Sequence, residues 1–131
     1  MNLRRAAAAA AVIALSAPNW ASAEATLSYD DMIYCSAFNT VMAEVIAAGT
    51  PAPDDKTRIA KYNRQADALL GYSITFLPAG KTALSVNDDA QTQHDVVLTA
   101  LTAKDTGTDY LKAHYSECMT LGVAAVAIDG K

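Results

Sequence analysis

Four apolar runs with helical spacing follow one another along this chain, and aspartates stand at or just ahead of the start of each: Asp30-Asp31, Asp54-Asp55, Asp88-Asp89 and Asp109. A carboxylate belongs at such a place, because the first turn of a helix carries unpartnered N–H groups and the positive end of the peptide dipole. The pattern predicts an all-α chain of four helices. The first is expected over 29–48, with Cys35, Phe38, Met42 and Val45 on its apolar stripe and Ile46 widening it, and Gly49, Pro51 and Pro53 ending it. The second is expected over 54–77 before Pro78 and Gly80, and it weakens at Gly71, beyond which Tyr72 to Phe76 is also good strand material. A third, over 88–104, rests on Val96, Val97, Ala100 and Leu101. A fourth, over 109–127, presents Leu111, His114, Tyr115, Cys118 and Leu121.

Four amphipathic helices on short links bury their stripes with least chain crossing as an antiparallel four-helix bundle. The start of the first helix then lies beside the end of the last. Cys35 sits two turns into the first, and Cys118 lies roughly two turns from the end of the last. Both therefore fall at one end of the bundle, each on an apolar stripe, and in an oxidising compartment they are expected to pair. Two buried thiols and a redox-active pair are the competing readings, although a catalytic pair favours the C-x-x-C spacing that is absent here.

The N-terminus supplies the compartment. Arg4 and Arg5 precede an uncharged run from Ala6 to Ala17, then Pro18 and Asn19 and the small-x-small site Ala21-Ser22-Ala23. This is the pattern of a secretory signal peptide over 1–23, cut after Ala23, with a single helical domain over 24–131. The run is shorter than the roughly 20 apolar residues of a spanning helix, so a stable membrane anchor is not expected. The expected location is periplasmic or secreted. Eight basic and fourteen acidic residues remain beyond Ala23. Such a surface repels phosphates and argues against nucleic acid as a partner.

Candidate chemistry is sparse, and no catalytic residue is assigned. His94 and His114 are the only histidines, neither in a ligand-spaced motif, and the six glycines are scattered singly. Serines lie outside any G-x-S-x-G context. An enzyme without a recognisable motif stays open as a third reading. A haem b or metal site is the second: His114 lies one turn before Cys118, and antiparallel packing around a disulfide would set it opposite Asn39 and Met42. The bland reading makes His114 a hydrogen-bonded core residue. Lys56, Arg58, Lys61 and Arg64 gather half of the basic residues beyond Ala23 at the head of the second helix. They form either a docking patch for an acidic partner or a lipid phosphate, or a solvated face balanced by nearby carboxylates.

In layout, with Ile33-Tyr34-Cys35-Ser36-Ala37 in the first helix and Ser116-Glu117-Cys118 in the last, the chain resembles small exported helical proteins of Gram-negative bacteria. It has a looser likeness to the small periplasmic acid-stress chaperones, from which it departs in cysteine spacing and in lacking lysine-rich ends. The resemblance implies a periplasmic helical protein. The leading expectation is a non-enzymatic protein that binds another protein or a small ligand, with envelope stress as one setting.

Overall fold

A computed structural model describes residues 27–129. The expected signal segment lies outside the described residues. Four helices run through the chain: α1 (Tyr29–Ala48), α2 (Asp55–Ser73) continued by a single 3-10 turn (Ile74–Phe76), α3 (Ser85–Leu101) and α4 (Gly107–Asp129). They form an antiparallel bundle, and Cys35 of α1 is joined to Cys118 of α4 with Cα atoms 4.9 Å apart. Both cysteines are buried. On the chain-entropy account, closing a loop of 83 residues stabilises the fold by about 4 kcal/mol.

Most of the aspartates at the helix starts stand in the first turn, at Asp30, Asp31, Asp55, Asp88 and Asp109, while Asp54 precedes α2. Ser28 caps α1, its Oγ accepting from Asp31 N at 3.1 Å, while Asp30 and Asp31 sit inside the turn. At α2 the Asp54 side chain makes no cap bond, and Asp55 Oδ2 instead accepts from Ala52 N at 2.8 Å. Helix α3 begins three residues ahead of Asp88. Ser85 Oγ bonds back to Thr82, donating to its carbonyl at 2.7 Å, and this local turn starts the helix before the acid pair is reached. The second helix breaks where the β-branched run begins. A turn then follows in which Lys81 N donates to Pro78 O, and Gly80 takes the positive φ of 89° that its third position requires.

Helix α1 is the centre of the bundle. Ten of its residues are buried, spread around the helix and not along one stripe, with Phe38, Met32 and Val41 wholly inside. The main core joins these to Leu69, Val97, Cys118, Leu121 and Ala125, and a smaller cluster gathers Tyr29, Ile33 and Val86. Two expected stripe residues point outward instead: Val45 is 43% exposed and Val96 50% exposed. Helices α2 and α4 approach so closely that a Cβ added to Gly122 would lie 2.6 Å from Gln65 Oε1. On the other side α3 leans on α1 and barely meets α2. Among the described residues no helix is long and apolar enough to cross a membrane.

Candidate functional site

The gap between α2 and α3 is an open groove of about 430 Å³ floored by α1. Ser36, Ala37, Thr40 and Glu44 of α1 form the floor, Ala66, Asp67 and Leu70 of α2 one wall, and Asn87, Ala90, Gln91 and His94 of α3 the other. The α3 residues follow one another at i, i+3, i+4 and i+7, the spacing of a single helical face. That face lies beside the buried one of Val86 and Val97, half-buried at Ala90 and His94 and exposed at Asn87 and Gln91. It carries two amides, a methyl and an imidazole, and the large apolar residues of α3 are confined to its ends, at Val86 and at Val97 to Leu101.

Two polar ties hold α3 on α1. At one end the Tyr29 hydroxyl donates to Asp89 Oδ2 at 2.7 Å, and Lys81 Nζ, delivered by the Gly80 turn, meets the same oxygen at 2.7 Å. Those two bonds hold the Asp89 carboxyl below the usual carboxylate range, the lysine contributing most. Burial in the first place, then the bond to Asp89, pushes the Tyr29 phenol up to about 12. Farther along, His94 Nε2 meets Glu44 Oε1 at 2.8 Å across the mouth of the groove, and His94 Nδ1 approaches Asp95 at 3.5 Å. The Glu44 bond is the main reason that the imidazole is held above its ordinary pKa.

Most donors around the groove are already engaged. Ser36 Oγ donates to Ala66 O at 2.8 Å, Thr40 Oγ1 to Ser36 O at 3.1 Å, and Gln91 Nε2 to Asp95 Oδ1 at 3.1 Å. Asp67 is exposed at the rim and has no ion-pair partner among the described residues.

No family model, curated protein or solved structure matches this chain.

The residues singled out from the sequence lie elsewhere. His114 packs its ring on Tyr110 at 4.5 Å and on Tyr34 at 5.5 Å, and the Tyr34 and Tyr110 hydroxyls meet. Asn39 turns back on its own helix, donating Nδ2 to Cys35 O at 2.9 Å, and Met42 is partly buried against the main core. Two tyrosine rings pack on the imidazole that the haem or metal reading takes as a ligand. No group of three or more His, Cys, Asp or Glu among the described residues is placed to hold a metal ion.

The basic cluster at the head of α2 is divided. Arg58 pairs with Asp55 at 3.1 Å and Asp54 at 3.8 Å. Lys61 Nζ lies 5.6 Å from the centre of the Tyr62 ring, whose hydroxyl meets that of Tyr115 at 3.1 Å. Lys56 instead lines an apolar crevice of about 560 Å³ with Ile46, Pro51 and Ile59, and Arg64 is exposed. The four charges therefore face different surroundings and do not form one patch.

Sequence reasoning missed the groove because it weighed apolar stripes and nucleophile or metal motifs. The available signal was the stretch Asn87 to Asp95, which keeps helical spacing but has only one residue, Ala90, that is apolar.

Proposed function

We propose that this chain is an exported, non-enzymatic binding protein that takes a small polar ligand in the groove between α2 and α3. The observation that carries the reading is the α3 wall of the groove, half-buried at Ala90 and His94 and exposed at Asn87 and Gln91. A helix closed tightly against α2 would place large apolar residues at the half-buried positions 90 and 94, where a fully buried leucine or valine contributes about 1.5–3 kcal/mol. This one keeps Ala90 and His94 there, with Asn87 and Gln91 exposed beside them. The groove stays open as a result, within the size range of small-molecule sites. The disulfide and the buried α1 supply a rigid floor beneath it, which limits the ordering cost of binding.

Gln91 is exposed, so replacing it with tryptophan fills the groove without disturbing the core. Ligand-observed NMR of the disulfide-bonded protein against a panel of amines, polyols and small carboxylates tests the reading. At least one class should bind the parent and be lost in Gln91→Trp. A panel in which nothing distinguishes the two proteins would refute it. The export half is tested separately: N-terminal sequencing of the protein from the periplasm of a Gram-negative host should begin at Glu24.

A further inference from the structure

Given that groove as the binding site, we infer that its ligand is a small organic cation, an aliphatic amine whose ammonium group sits at the Asp67 carboxylate and whose remaining N–H groups bond to the α1 floor and the α3 wall. This inference rests on the reading above and names the class of ligand that the groove selects.

The case is one of donors and acceptors. Each hydroxyl of the floor has a single hydrogen to give, and both are given to backbone carbonyls: Ser36 to Ala66 O and Thr40 to Ser36 O. What those oxygens still offer is lone pairs. On the α3 wall one Gln91 amide hydrogen goes to Asp95, leaving the other and the Oε1 lone pairs, and His94 directs its ring nitrogens to Glu44 and Asp95. The carboxylates of Asp67 and Glu44 are acceptors by nature, and no lysine or arginine lines the groove. Asn87 and Gln91 each keep an amide group that can donate or accept, and the carboxylates and hydroxyls tip the balance toward acceptors. A ligand that brings mainly acceptors, such as a carboxylate or a phosphate, would leave these oxygens desolvated and facing like partners, at a cost in affinity. One that brings several N–H donors and a positive charge satisfies them, and the bond to Asp67 is charge-assisted.

The spread of the acceptors argues for an extended molecule over a bare ion. A hard metal cation needs six or more oxygens converging at about 2.0–2.6 Å. Here the acceptors come from three helices around an open volume of about 430 Å³. An amine chain can reach from one to the next.

The test is isothermal titration of the intact, disulfide-bonded protein with spermidine in about 0.1 M salt, where diffuse attraction is largely screened. Saturable binding of the parent is expected. Asp67→Asn should weaken it about three- to five-fold, the scale of one solvent-exposed ion pair. Gln91→Trp should abolish it. Asp105→Asn removes the same charge from the exposed loop before α4 and should leave binding unchanged. Equal weakening by Asp67→Asn and Asp105→Asn would overturn the inference, because attraction would then follow net charge alone. So would displacement of spermidine by millimolar calcium with no effect of Gln91→Trp. If spermidine fails to bind while sorbitol or citrate binds and is lost in Gln91→Trp, the amine class is wrong and the groove reading survives. If none of the three gives heat that depends on Gln91, both fall together.

Discussion

Helices α1 and α3 lie side by side and are of similar length, yet they are held in opposite ways. Ten residues of α1 are buried, and it packs on every other helix; α3 buries Val86 and Val97 alone. The first is fixed by close-packed apolar contact and a disulfide to α4. The second is pinned near its ends and tied along its middle by hydrogen bonds and ion pairs, Tyr29 and Lys81 to Asp89 and Glu44 to His94. Apolar packing tolerates little loss, because a removed group leaves a cavity. Polar ties at a half-exposed surface are weak and adjustable. The difference teaches where this bundle can vary: the side of α1, α2 and α4 carries the stability, and the α3 side is free to carry a site.

The sharpest way to break this comparison is to truncate one residue on each side. Phe38 is wholly buried at the centre of α1, and Phe38→Ala should destabilise the protein by about 3–5 kcal/mol. Gln91→Ala on α3 should lie within about 0.5 kcal/mol of the parent, as exposed substitutions usually do. Denaturant unfolding of the disulfide-bonded proteins reads both. Comparable losses at the two positions would mean that α3 is as integral as α1.

A smaller effect sharpens the tight side. Gly122 faces Gln65, and an added Cβ would lie 2.6 Å from its Oε1 and 3.0 Å from its Cβ. Gln65 is 4% exposed, so its side chain has little room to retreat. Alanine ordinarily favours a helix over glycine by about 1 kcal/mol. Here overpacking should win, and Gly122→Ala should destabilise by about 1–2 kcal/mol. Gly71 on α2 has open space at the same place, and Gly71→Ala should stabilise by up to about 1 kcal/mol. Opposite signs in thermal melts are the expected outcome; a stabilising Gly122→Ala would show that the α2–α4 contact is looser than its geometry.

The same contrast explains what could be read from the sequence. The four helices, their order and the Cys35–Cys118 link were legible, because apolar periodicity and oxidising chemistry act locally or through topology. The start of α1 fell where expected, and the largest miss, three residues at α3, arises because Ser85 sets a local turn ahead of Asp88. Burial on α1 was misread as one stripe, because small residues such as Ser36, Ala37 and Ala43 pack inside when neighbours close around the helix. The groove was not legible. The polar stretch Asn87 to Asp95 marks one wall, but the groove exists where α2 and α3 fail to meet, and that depends on how both rest on α1. His114 shows the same limit: its helix was right, but long tyrosine rings from Tyr34 and Tyr110 decided its neighbours.

The smallest expected effect concerns the ties themselves and depends on pH. His94 has a folded pKa raised above its ordinary 6.5, mainly by the bond to Glu44. The folded state then holds the proton more tightly than the unfolded chain, so the contribution is fully present below about 6.5 and is lost as pH rises through the folded value. Asp89 behaves in the opposite sense. Its folded pKa lies below 3.8, so its contribution is present above that value and fades as pH falls through the folded one. The two ties thus act together from mildly acidic pH up to the His94 titration, and α3 sits most firmly there. Because the Glu44 side chain is 51% exposed, solvent screening keeps the His94 tie under about 1 kcal/mol. That corresponds to a few degrees of melting temperature at most for a domain of this size. His94→Gln should therefore melt slightly below the parent at pH 5.5 and converge with it by about pH 9, beyond the imidazole's titration. A gap that stays constant across that range would mean that His94 matters for its shape and not for its charge, and the α3 side would then be packed more like the α1 side than its exposure suggests.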